Sequence, residues 1–272
     1  MADDPKKEVE ETAPEPTPKG EAEPESAASP APADPGPSRL ARLEGSSGLA
    51  VAIAISLPIL FFFVLPPLTK SGMWDPYELN VADLARRVAL NLHDATNLAL
   101  EGADNSLPHL NDLGRPQLPF TSIALGFKLF GLHEWAGRAP LALWGVIGVV
   151  ATFAFVSRLV DRRAGVFSAV ALTTMPLYFV QARTMLGDVV MMASLALSFG
   201  GLAACVFGSR PEESGDQRTR GLWCVVAALG LVAGYYTRGS LIGVGVPALA
   251  VGSAFLIAAG NGQRFDALAR TV

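Results

Sequence analysis

From about Gly48 to Ala259 the sequence is laid out as apolar runs of roughly 18 to 22 residues, the length of helix that crosses a ~30 Å hydrocarbon core. A helix on the surface of a soluble domain carries a polar face, and these runs do not alternate in that way. The pattern predicts an all-α, polytopic membrane protein of about six transmembrane helices, at residues 48–68, 139–155, 166–182, 189–207, 222–236 and 241–259. Their wealth of Gly and Ala suits close helix packing in lipid. The two cysteines, Cys205 and Cys224, lie inside apolar runs without metal-ligand spacing and read as inert core thiols.

Residues 1–45 are of a different kind. They are rich in Pro, Glu and Ala and hold no aromatic residue, so they bury too little surface to offset the entropy of ordering. They are expected to form a disordered cytoplasmic tail, with residues 46–272 as the membrane domain. The first apolar run begins too late and runs too long for a cleavable signal peptide, so it should stay as an anchor.

Charge sets the orientation. Arg39 and Arg42 precede the first span, Arg158, Arg162 and Arg163 lie in the turn after the second, and Arg210, Arg218 and Arg220 follow the fourth. These basic turns fall on one side of a six-span topology, which makes that side and the N-terminus cytoplasmic by the positive-inside rule. Residues 69–138 then form a large outer loop. Within it, Leu79, Leu84, Val88 and Leu92 recur at helical spacing against Arg86 and Arg87, which predicts an interfacial helix over 74–92. A second such helix is expected over 118–132.

Ionisable groups at the outer ends of spans are costly and are therefore candidates for function. Four clusters qualify. Asp75 and Glu78, in Trp74-Asp75-Pro76-Tyr77-Glu78, stand three apart at a helix start and could share one face, although Asp75 also fits an N-cap with Pro76 at the first helical position. Arg183 and Asp188 flank a turn and could instead close a helical hairpin as a salt bridge. Arg238, in Tyr235-Tyr236-Thr237-Arg238-Gly239, could equally snorkel to the headgroups. Arg115 precedes a return to apolar sequence in Gly114-Arg115-Pro116-Gln117-Leu118-Pro119-Phe120.

Carboxylates and guanidinium groups gathered on one face are the inventory for binding a lipid-linked phosphate and deprotonating an alcohol beside it. His93, His109 and His133 are scattered without ligand spacing. No Gly-rich phosphate loop, Ser-His-Asp set or nucleic-acid patch is present, which disfavours soluble nucleotide chemistry and nucleic-acid partners.

These blocks together resemble the polytopic C-type glycosyltransferases that use polyprenyl-phosphate sugars, among them the aminoarabinose lipid A transferases and the protein O-mannosyltransferases. Trp74 to Glu78, with Ala82 and Ala85-Arg86-Arg87, resembles the acidic motif of the first outer loop. Arg115-Pro116-Gln117-Leu118-Pro119, Leu129-Phe130-Gly131 and Arg138-Ala139-Pro140 resemble the Lys-Pro-Pro, Leu-Phe-Gly and Arg-Leu-Pro signatures. Asp161 to Gly165 resembles the cytoplasmic turn, Ala182 to Asp188 the second acidic outer loop, and Thr237-Arg238-Gly239 a Lys-Gly turn.

Two departures stand out. The family's adjacent Asp-Glu is here Asp75 and Glu78, with Tyr77 at the usual Asp position. Its lysine is Arg115, which turns a point cation into a planar fork.

The resemblance implies an inverting glycosyltransferase working at the periplasmic face of a bacterial inner membrane. It would move a sugar from a polyprenyl phosphate to a lipid, glycan or protein acceptor. Asp75 or Glu78 would act as general base and Asp188 would orient the acceptor. Arg115, Arg183 and Arg238 would hold the donor phosphate. No cofactor is demanded, though Asp75 and Asp188 could share a divalent metal ion. Family members carry more spans than six, so a C-terminal remainder or partner subunit is expected. The rival reading is a non-catalytic membrane subunit or lipid-binding scaffold of the same fold.

Overall fold

The computed structural model describes residues 47–65, 67–70, 72, 76–92, 98–207 and 216–258. The expected tail, Asp75 and His93 lie outside them. Among the described residues all regular structure is helical, and the protein is an all-α membrane protein. The helices are α1 (Ser47–Ile59), α2 (Tyr77–Leu90), α3 (Gln117–Phe130), α4 (Glu134–Leu159), α5 (Arg162–Thr174), α6 (Pro176–Arg183), α7 (Asp188–Phe207), α8 (Asp216–Ser240) and α9 (Val246–Ala258). The central helix is α4, which packs on α1, α3, α5, α6 and α7, while α7 continues the bundle to α8 and α9.

Proline and glycine set the breaks. Pro58 lies within α1, and the following turn, Leu60–Val64, widens so that the Leu65 N–H donates to the Leu60 carbonyl five residues back at 2.9 Å. Beyond it stand Pro66 and Pro67, which have no N–H to offer the carbonyls of this last turn. Pro176 pushes Met175 into extended backbone, so α5 and α6, which cover the span expected over 166–182, meet at a 64° bend. At the start of α5, Asp161 acts as N-cap, accepting from the Ala164 N–H at 2.6 Å.

Among the described residues, three stretches are long and apolar enough to cross a membrane: Glu134–Leu159, Asp188–Phe207 and Thr219–Ala258. The bent pair α5–α6 would make a fourth, and Gly48–Val64 is a shorter apolar helix. The third stretch is no straight rod. Gly239 has φ 74°, and the backbones of Gly234 and Gly243 touch across the turn, which requires the chain to double back near Arg238. Leu222, Val225, Leu229 and Val232, at helical spacing along α8, are all more than half exposed, as a lipid-facing stripe requires.

Two expectations need correction. The amphipathic helix of the first loop exists, but Leu79 is exposed, and the face turned inward carries Glu78, Val81, Ala82, Ala85, Arg86 and Ala89. Small alanines let α2 lie close against its neighbours, and close approach decides which face packs. The cysteines are not separate thiols either. Antiparallel packing of α7 on α8 brings the Cα atoms of Cys205 and Cys224 to 5.7 Å, and the two form a disulfide.

Candidate functional site

The chemistry-bearing side chains gather at one end of the bundle, where α4 and α7 begin and α6 and α8 end. Its buried centre is an ion pair. Arg138 donates through Nε to Glu78 Oε1 at 3.1 Å and through Nη2 to Glu78 Oε2 at 2.8 Å, and both side chains are essentially inaccessible. The backbone N–H of Met185, in the turn between α6 and α7, donates to Glu78 Oε1 at 2.7 Å. Arg138 Nη2 also donates to the Gly72 carbonyl at 2.9 Å. One carboxylate and one guanidinium thus tie together α2, α4, the α6–α7 turn and the chain ahead of α2. Buried charges persist only when paired and hydrogen-bonded, and this pair is both.

Arg183 serves a different end of the same logic. Its Nη1 donates to the Phe61 and Phe62 carbonyls at 3.1 Å each, groups stranded by Pro66 and Pro67, and its guanidinium lies 5.2 Å over the Phe179 ring. In place of a salt bridge between Arg183 and Asp188, Asp188 makes another. Asp188 Oδ1 accepts from Arg238 Nη2 at 3.1 Å, with both side chains about half exposed, and Arg238 Nε points at Met191 Sδ.

Arg238 opens onto a cavity of about 770 Å³. Its walls come from the segment around Asn111 to Gln117 and from the end of α8, so Arg115 and Arg238 border one space. Gly114 has φ 62° and the Arg115 N–H donates to the Leu110 carbonyl at 2.8 Å, a tight turn that presents Arg115. Its side chain is exposed and has no ion-pair or hydrogen-bond partner among the described residues. Of the residues expected to hold a phosphate, the structure therefore brings Arg115 and Arg238 together and leaves Arg183 on the α1 carbonyls.

The loop that follows α2 is pinned by arginines that read in the sequence as a solvated face. Arg86, 2% exposed, donates to Asp83, to the Leu98 and Asp104 carbonyls and to Asn105 Oδ1. Arg87 donates to Asp104 Oδ2 at 2.6 Å. Hydrogen bonds from the Ser106 side chain and amide hold the Asp104 carboxyl below its ordinary value. Among the described residues no three His, Cys, Asp or Glu side chains gather as metal ligands. Asp188 is already paired with a guanidinium, an arrangement better suited to holding a cationic side chain than a divalent metal. His133 stacks on Trp135, with ring centroids 6.1 Å apart.

Sequence reasoning missed Arg138 and Arg86 as organising residues. For Arg138 the signal was present: a lone cation just inside the start of an apolar span must find a partner.

Residues 115–269 match the profile of the dolichyl-phosphate-mannose-protein mannosyltransferase family, more than half of the chain. The chain belongs to that family. No curated protein and no solved structure matches it. The mannosyltransferase-family match opens at Arg115 and takes in α3 to α9, with both arginines of the cavity inside it, while Asp75 and Glu78 precede it. Membership points to glycosyl transfer as the activity class, carried out by a membrane protein.

Proposed function

We propose that the chain transfers a sugar from a polyprenyl phosphate to a hydroxyl or amine of a lipid, glycan or protein acceptor, at the periplasmic face of a bacterial inner membrane. The observation that carries this reading is the shared cavity of Arg115 and Arg238 at the end of the bundle away from the Arg158 to Arg163 turn. As the acceptor oxygen attacks the anomeric carbon and the bond to the phosphate oxygen breaks, the departing phosphate gains a negative charge. The guanidinium groups of Arg115 and Arg238 beside it stabilise that charge as it develops. Asp188 holds Arg238 in place for this task.

The proton of the acceptor goes to Asp75. Glu78 is a poor base in this setting: it is buried, and its oxygens already accept three hydrogen bonds. We assign Glu78 and Arg138 a positioning part. Gly72 and Glu78 stand three residues to either side of Asp75, and Arg138 holds both. Arg183 braces α6 against α1 behind the site.

The test is transfer from polyprenyl-phosphoryl sugars by vesicles carrying the chain. Asp75→Asn is expected to lower the rate by about 10²- to 10⁴-fold, the usual worth of a general base. Arg115→Gln and Arg238→Gln are each expected to cost about 10²-fold. Wild-type rates in Asp75→Asn would remove the base assignment. Donor binding without transfer in the wild type would favour the non-catalytic scaffold.

A further inference from the structure

The cavity that holds Arg115 and Arg238 is more than a phosphate site. Tyr235 and Tyr236 border it as well, each about half exposed, with ring centroids 5.4 Å apart and planes at 81°. Consecutive helical residues point about 100° apart, so a lipid-facing aromatic belt would take one of such a pair and turn the other away. Here both border the same space, one ring set edge-on to the other. On the facing wall Gln117 Nε2 donates to Asn111 Oδ1 at 3.1 Å, and both amides are exposed. That bond leaves further amide hydrogens and carbonyl lone pairs for a ligand.

Two cations, a corner of aromatic rings and a pair of amides call for a ligand with an anionic group, apolar C–H faces and a ring of hydroxyls. A glycosyl phosphate has all three. We propose that Tyr235 and Tyr236, with Gln117 and Asn111 opposite, form the subsite that receives the sugar of the donor and sets which sugar is used. The aromatic rings take the C–H face of the pyranose, and the amides read its hydroxyls. This inference rests on the reading of Arg115 and Arg238 as the phosphate site. It adds that recognition of the sugar is carried by different residues of the same cavity.

Binding to the chain in lipid nanodiscs separates the two. The probes are bare polyprenyl phosphate and polyprenyl phosphates carrying mannose, glucose or 4-amino-4-deoxyarabinose. The wild-type chain binds one glycosylated probe more tightly than the bare lipid. Tyr235→Leu and Tyr236→Leu each weaken that probe, about tenfold for the more intimate ring, and leave the bare lipid unchanged. Tyr→Phe at either position stays near wild type, since the ring remains. Gln117→Ala alters the ranking among sugars.

Leucine variants that bind the preferred sugar as well as wild type overturn the subsite, as do phenylalanine variants as weak as the leucine ones. A wild-type chain that binds no glycosylated probe better than the bare lipid overturns it too. If Arg115→Gln and Arg238→Gln bind the bare lipid like wild type, the phosphate site itself fails, and the sugar subsite with it.

Discussion

Glu78 shows how a residue can be placed correctly in the sequence and still be misjudged in kind. Its spacing from Asp75 suggested two carboxylates on one face. The structure buries it under Arg138 and the Met185 N–H, because the lone cation inside the apolar start of α4 has to be met there. Glu78→Gln removes the buried carboxylate that Arg138 grips with two hydrogen bonds and is expected to cost about 3–5 kcal/mol, with Arg138→Met costing about as much. The double substitution should recover part of that loss, read from thermal unfolding of the purified chain in detergent. Strict additivity of the two single losses would mean that the pair is not coupled. Arg183 carries a similar lesson. Its use on the Phe61 and Phe62 carbonyls could have been read from Pro66 and Pro67, which withdraw the donors those carbonyls need, but which arginine would supply them is a matter of tertiary packing.

Elements were legible where composition alone decides them. The apolar runs located α4, α7 and the α8–α9 pair, because the length of an apolar run is a local property. Helix faces were not. On α2 Leu84 and Val88, with Leu92 just beyond it, do pack against the core, but Arg86, which reads with the polar face, is buried beside the alanines where α3 comes close. The same economy of size governs α7 and α8, where a Cβ on Gly201 would strike the Ala227 backbone and one on Gly230 the Ser198 backbone. Gly230→Leu is therefore expected to destabilise the chain by about 1–3 kcal/mol, as overpacking does, whereas Gly252→Leu, which meets nothing within 4 Å, should be close to neutral. Equal melting temperatures for the two would contradict this account of the helix pair.

The loop after α2 offers a test by pH. The Asp104 carboxyl sits below its ordinary 3.8, chiefly through Ser106. A group whose folded value is depressed contributes stability above its unfolded value, about 3.9, and loses it as pH falls through the folded one. Between about pH 7 and 5 the tie to Arg87 should hold unchanged, and it should fail only below about pH 4. Hydrogen exchange of amides 99–106, corrected for intrinsic rates, checks this. Opening of the loop already at about pH 5 would show that another group governs it.

At the scale of the whole molecule, the distribution of charge bears on which end of the bundle faces out. Both ends carry arginines, so a bare count does not decide. At the site end, Arg86, Arg87, Arg138 and Arg238 are each matched by a carboxylate and Arg183 by backbone carbonyls, while Arg115 is exposed at the cavity. In the opposite turn, Arg158, Arg162 and Arg163 are accompanied in the sequence by one acid, Asp161, which caps α5. On the positive-inside rule we propose that this arginine-rich turn faces the cytoplasm. A cysteine introduced at exposed Asp112, beside the cavity, is expected to react with a membrane-impermeant maleimide in intact cells. One introduced at Val160, 64% exposed in the arginine turn, should react only after permeabilisation. The wild-type chain, whose described cysteines are paired, supplies the background. The reverse labelling would put the cavity on the cytoplasmic side, while labelling of both positions from one side would separate the site from the topology that the apolar runs imply.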